Sequence, residues 1–153
     1  MKVKICSRDA ILSLIENEEL DGFAIISFYD PPSRRSGDYG PIDFKGVCEN
    51  VFMIEELDLD PSALKKFGLT FEKYLSCANE LAKFIYRVRE MGLNIICQCE
   101  YGQSRSAGCA AAILEHFGKR GIKVFADYRY YPNQMIFNKV LRALDEYKEA
   151  LCN

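Results

Sequence analysis

Residues 96–114 read ICQCEYGQSRSAGCAAAIL. The segment starts inside an apolar run, 93–98, whose length suits a strand covered on both faces. Cys99 follows that run, one residue after Gln98 and two after Cys97. A polar loop centred on Gly102 comes next and closes at Arg105 and Ser106. Beyond it stand Ala107, Gly108, Ala110 and Ala111, small residues that let a helix approach a sheet closely. Strand, tight loop and close-packed helix predict an α/β unit. Cys99 then falls at the carboxyl end of a strand, where ligands gather in parallel sheets.

The flanking sequence extends this alternation. FAIISF at 23–28 and VFMIEEL at 51–57 read as two further strands. Between them, 30–46 is dense in Pro, Gly, Ser and charge, a loop long enough to be functional. Arg34 and Arg35 in that loop face either solvent or a substrate. Ser7 caps a first helix through Ala10, Ile11, Leu14 and Ile15. Thr70 opens another, with Phe71, Leu75, Ala78, Ala82 and Ile85 on one stripe and Gly92 at its close. Pro132-Asn133 starts the last helix, whose stripe is Ile136, Val140, Leu144, Tyr147 and Leu151. Tyr128, Tyr130 and Tyr131 serve as rim aromatics or as packing against that helix. The expectation is one α/β domain over residues 1–153, with a mainly parallel central sheet flanked by helices.

Composition narrows the function classes. The 153 residues carry a formal net charge of −2, with 49% hydrophobic and 27% charged residues. No global field draws the chain to nucleic acid or to an anionic membrane, so any anion site must be local. No run reaches the ~18 apolar residues of a membrane span. The opening MKVKICSRDAIL interleaves charge with apolar positions, unlike a secretion signal. Seven cysteines, an odd number without such a signal, point to free thiols in the reducing cytoplasm. The Cys97/Cys99 pair has no second pair to complete a zinc site, and His116 is the lone histidine, so neither metal nor cofactor is expected.

The loop after Cys99 has its own chemistry. A strand–loop–helix turn aims backbone N–H groups at one point, with the positive end of the helix dipole behind them. Gly102 permits the bend that makes such a nest, and Arg105 adds a planar fork for two oxyanion oxygens. A thiol in that field is favoured as thiolate, so nucleophile and oxyanion cradle coincide.

The eight residues from Cys99 to Ser106 have the form C-x5-R-[ST], and more closely C-x-x-G-x-S-R-S. They resemble the signature loop of the cysteine-dependent protein tyrosine phosphatases, especially the small dual-specificity type. PNQMIFNKVL at 132–141 is similar to the opening of the last helix in that family. The resemblance implies a phosphatase-like fold and a phosphocysteine formed on Cys99. Arg105 and the amides of Glu100, Tyr101, Gly102, Gln103, Ser104 and Arg105 would hold the phosphoryl oxygens. Ser106 would hydrogen-bond the sulfur as it leaves. It also implies an aspartic general acid on a preceding loop. Asp60, just before Pro61, is favoured for that role, with Asp58 second. Gln98 departs from the family, which usually has histidine there, so this position brings the thiol no charge.

The implied activity is hydrolysis of phosphotyrosine-type or dual-specificity phosphomonoesters, on a phosphorylated protein or a small molecule. Phosphoinositide, nucleotide or RNA 5′-phosphate substrates are the alternative. Against them stand the lack of Lys or Arg between Cys99 and Arg105 and the charge of Glu100. A phosphate-binding module without turnover is the third reading.

Overall fold

The computed structural model describes residues 1–34 and 40–153; Arg35, named above, lies outside the described residues. Four parallel strands form the central sheet in the order β1-β4-β2-β3. They are β1 (Val3–Cys6), β2 (Phe23–Tyr29), β3 (Val51–Glu55) and β4 (Asn94–Gln98). The two middle strands are the most apolar, because a parallel strand with covered faces has no wet side. Ile95 of β4 sits between Val3 of β1 and Ala24 of β2.

Alternation along the strands sorts side chains to two cores. Ala24, Ile26, Phe28, Ile95 and Cys97 join the larger one, beneath α3 (Ala78–Glu90), α4 (Arg105–Gly118) and α6 (Gln134–Cys152). Ile25 and Ile96 point the other way, onto α1 (Arg8–Glu16) and onto Ile42 and Phe44, from the later part of the long loop. Two short helices complete the described fold, α2 (Pro61–Leu64) and α5 (Ile122–Phe125).

The helix ends follow their sequence signals. The Ser7 hydroxyl accepts from the Ala10 amide at 3.1 Å, and Asn133 Oδ1 accepts from the Ile136 amide at 2.9 Å. Both caps satisfy an otherwise orphaned first-turn donor. Gly92, at φ +74°, ends α3 in the left-handed conformation that a side chain resists.

The helix expected from Thr70 is different. Regular α3 begins only at Ala78, and residues 71–77 form a chain of turns. Leu75 is the reason. It sits at φ +49°, and its amide donates to Glu56 Oε2 at 2.8 Å instead of to a helical carbonyl. Of the expected stripe Leu75, Ala78, Ala82 and Ile85 are buried, whereas Phe71, in the stretch of turns, is exposed.

His116 packs near the end of α4. Its Nε2 lies 2.7 Å from the Tyr86 hydroxyl and its Nδ1 2.6 Å from Asp145, which ties α3, α4 and α6 together. Among the described residues, no helix is long and apolar enough to cross a membrane.

Gly108 sets the closest approach of the helical layer. A Cβ there would meet the Asn133 carbonyl oxygen at 2.5 Å. Gly108→Ala is therefore expected to cost about 1–3 kcal/mol of stability, the usual range for overpacking. A urea midpoint equal to that of the wild type would contradict this close contact.

Candidate active site

The loop from Cys99 to Ser104 is shaped by what its carbonyls do. Glu100 O accepts from the Arg8 amide at 3.0 Å and Gln103 O from the Tyr131 amide at 2.9 Å. Ser104 O accepts from Gly108 N at 2.8 Å and from Asn133 N at 3.0 Å. The amides behave oppositely. Among the described residues, none of the N–H groups of residues 100–104 donates to a protein acceptor. A loop whose Glu100, Gln103 and Ser104 carbonyls are occupied and whose amides meet no protein acceptor, set at the N-terminus of α4, has the form of an anion nest.

Gly102 makes that shape possible. It lies at φ +65°, and a Cβ there would fall 2.6 Å from Ser7 N and 2.8 Å from the Cys6 carbonyl carbon. The junction of β1 and α1 is thus the wall against which the loop is pressed. The Arg8 side chain strengthens the seam, with Nε donating to Glu100 Oε2 at 2.9 Å and Nη2 donating to Gly40 O.

At the floor, Cys99 retains 3% of its surface, and its sulfur lies 3.1 Å from the buried Ser106 hydroxyl. Arg105 is 4% exposed and turned inward. Its Nη1 donates to Asp30 Oδ1 at 2.7 Å and to Glu56 O at 2.8 Å. Its Nε is buried and finds no acceptor among the described residues. An unmet buried donor on a charged group carries a desolvation cost that an oxyanion would relieve. Gln98 brings no charge here, and its Oε1 accepts from the Ser27 hydroxyl at 2.5 Å.

The two candidate acids have different partners. Asp60 caps α2: its Oδ1 accepts from the Ser62 hydroxyl at 2.6 Å and from the Ala63 amide at 2.9 Å. Those donors, the hydroxyl first, hold its carboxyl below the usual range. Asp58 instead reaches the loop. Its Oδ1 accepts from the Ser104 hydroxyl at 2.7 Å and from Asn133 Nδ2 at 2.8 Å. The sequence preference for Asp60 thus meets a carboxylate committed to its own helix.

The remaining rim residues take separate places. Tyr101 is 79% exposed. Glu100, expected to repel polyanions, has its charge offset by Arg8. The Arg34 guanidinium lies over the Phe67 ring at 4.6 Å. Cys97 and Cys109 lie fully inside the core, and burial pushes the Cys97 thiol well up.

Three site residues went unread in the sequence. Asp30 directly follows β2, and a carboxylate just past a strand's carboxyl end was the available signal. Glu56 was read as strand, yet its carboxylate accepts from Leu57 N at 3.0 Å as well as from Leu75 N. Arg8 carried no motif at all.

Neither a family model nor a curated sequence matches the chain. Among solved structures it is similar to human DUSP28, with 16% identity, a TM-score of 0.59, and coverage of 97% of this chain and 94% of that one. It is also similar to PTPMT1 in complex with PI(5)P, at 13% identity and TM-score 0.54, covering 98% and 94% of the two chains. A third is the human tyrosine phosphatase-like serine/threonine/tyrosine-interacting protein, at 17% identity and TM-score 0.52, covering 96% and 87%. At these identities the likeness is one of fold. The chain has the α/β fold of the dual-specificity, cysteine-dependent phosphatases.

Glu56 joins three parts of the site: the acid-bearing turn, the Leu75 turn and Arg105. Glu56→Ala leaves two backbone donors without their acceptor and is expected to lower stability by about 1–3 kcal/mol. Chemical denaturation reads this directly, and an unaltered midpoint would remove Glu56 from that role.

Proposed function

We propose that residues 1–153 act as one catalytic domain, a phosphomonoester hydrolase working through a phosphocysteine. The supporting observation is the nest: unoccupied amides, the unmet Arg105 Nε and a Ser106-bonded thiol share one loop. In the first step Cys99 sulfur attacks phosphorus, the P–S bond forms and the P–O bond to the leaving group breaks. Asp58 gives its proton to the departing oxygen. In the second step Asp58 takes a proton from water, the water oxygen attacks phosphorus, and the P–S bond breaks with Ser106 donating to sulfur. Arg105 and the loop amides hold the nonbridging oxygens throughout.

Asp58 takes the acid role here in place of Asp60. Asp60 is engaged in its own helix, where its Oδ1 accepts from the Ser62 hydroxyl and the Ala63 amide. Asp58 is the carboxylate bonded to the loop itself. Asp30 acts as a positioning residue that fixes the guanidinium. Phosphotyrosine-type or dual-specificity hydrolysis on proteins is the substrate reading, and a reducing cytoplasm suits a nucleophile that must remain a thiol.

Hydrolysis of p-nitrophenyl phosphate tests this. Turnover is expected to persist in excess EDTA and to vanish in Cys99→Ser. Asp58→Asn should lower kcat by about 10²–10⁴-fold and abolish the alkaline limb of the pH profile. An intact limb in that variant would return the acid role to Asp60, and a wild-type protein without turnover would leave a phosphate binder.

A further inference from the structure

Beside the nest lies a second depression of ≈ 440 Å³, between the turn at Asp58–Pro61 and the start of α6. Ser104 belongs to both: its carbonyl accepts from Gly108 N of α4 and from Asn133 N just ahead of α6, and its hydroxyl and Asp58 form part of the second wall. A substrate whose phosphate is held by Arg105 therefore extends its neighbouring groups into this space. Arg105 Nε, buried and without an acceptor among the described residues, fixes where the oxyanion end must be.

The chemistry of the walls is one-sided. Asp58 and Asp60 line the depression, and among its described lining residues there is no Lys or Arg. The Asn133 amide is already spent on Asp58 and on Leu59 O. Asp60 is held in its charged form by the Ser62 hydroxyl and Ala63 amide. Lys66 acts on it only weakly and lies outside the cavity wall. Tyr131, 73% exposed, also lines the depression, with Pro61 and Pro132. A carboxylate and an open aromatic in one cavity suit a charged head on an aliphatic stem, which can lie along the ring while its cation meets the acid. A second phosphate would meet the Asp60 carboxylate instead.

We infer that this depression is a subsite for a Lys or Arg side chain adjacent to the phosphorylated residue, with Asp60 as its counter-charge. The substrate class is then a phosphoprotein segment with a basic flank. The inference rests on the phosphatase reading above and adds its specificity. Asp58 serves the leaving oxygen and Asp60 the neighbour.

Phosphotyrosine peptides identical except for Arg, Ala or Glu at the residues flanking the phosphotyrosine test it, together with phosphatidylinositol monophosphate vesicles. The ratio of kcat/KM between Arg- and Glu-flanked peptides is expected to reach about tenfold and to shrink with added salt. Asp60→Asn keeps the helix cap but loses the charge, and should bring the ratio to within about threefold. Gln134→Lys, which places a cation on an exposed lining residue, should lower the ratio without touching the cap. A flat ratio in the wild type, or faster turnover of the vesicles than of any peptide, overturns the subsite. A ratio unmoved by both variants overturns its assignment to this cavity. The same peptides titrated onto Cys99→Ser by fluorescence anisotropy separate the two readings: graded binding with no wild-type turnover sinks the hydrolase and spares the subsite.

Discussion

Everything in the site depends on where four carbonyl groups point. A chain bent as tightly as residues 99–105 cannot turn both its N–H and its C=O groups to the same side. Here the carbonyls of Glu100, Gln103 and Ser104 are taken by Arg8, Tyr131, Gly108 and Asn133, and Cys6 O takes the Cys99 amide. Each of those bonds offsets a desolvation cost, and together they leave the loop amides to a ligand. The nest is therefore made by its neighbours as much as by its own sequence.

The buried guanidinium follows the same logic. Arg105 pairs with Asp30 and with the Glu56 carbonyl, and the pair is weak evidence of net stabilisation, because taking the guanidinium out of water costs several kcal/mol while Asp30 stays partly exposed. What the pair supplies is orientation. Two bonds on Nη1 stop rotation about the long side chain, and Nε is left as the donor still to be met. Fold stability at this point is exchanged for a group fixed in advance of its ligand.

Much of this was legible in the chain. The spacing from Cys99 to Ser106, the strand at 23–28, the cap at Ser7 and the cap at Asn133 all rest on local rules, and local rules survive folding. β1 went unread although Lys2, Val3, Lys4 and Ile5 alternate, because four residues beside a helix cap make a short signal. The start of α3 was misplaced because periodicity reports burial and not the φ of Leu75, which a distant carboxylate supports. Spacing could not tell the two aspartates apart either. Asp58 and Asp60 are two residues apart, and only the folded chain shows that one bonds to Ser104 and the other to Ser62. Partners far apart in sequence decide what patterns along it cannot.

The contact of Gly102 with Cys6 and Ser7 gives the first few residues an unusual office. In this fold β1 is the backstop of the thiol's loop, so loosening at residues 3–7 would be felt some ninety positions later as a change in the shape of the loop between Cys99 and Arg105.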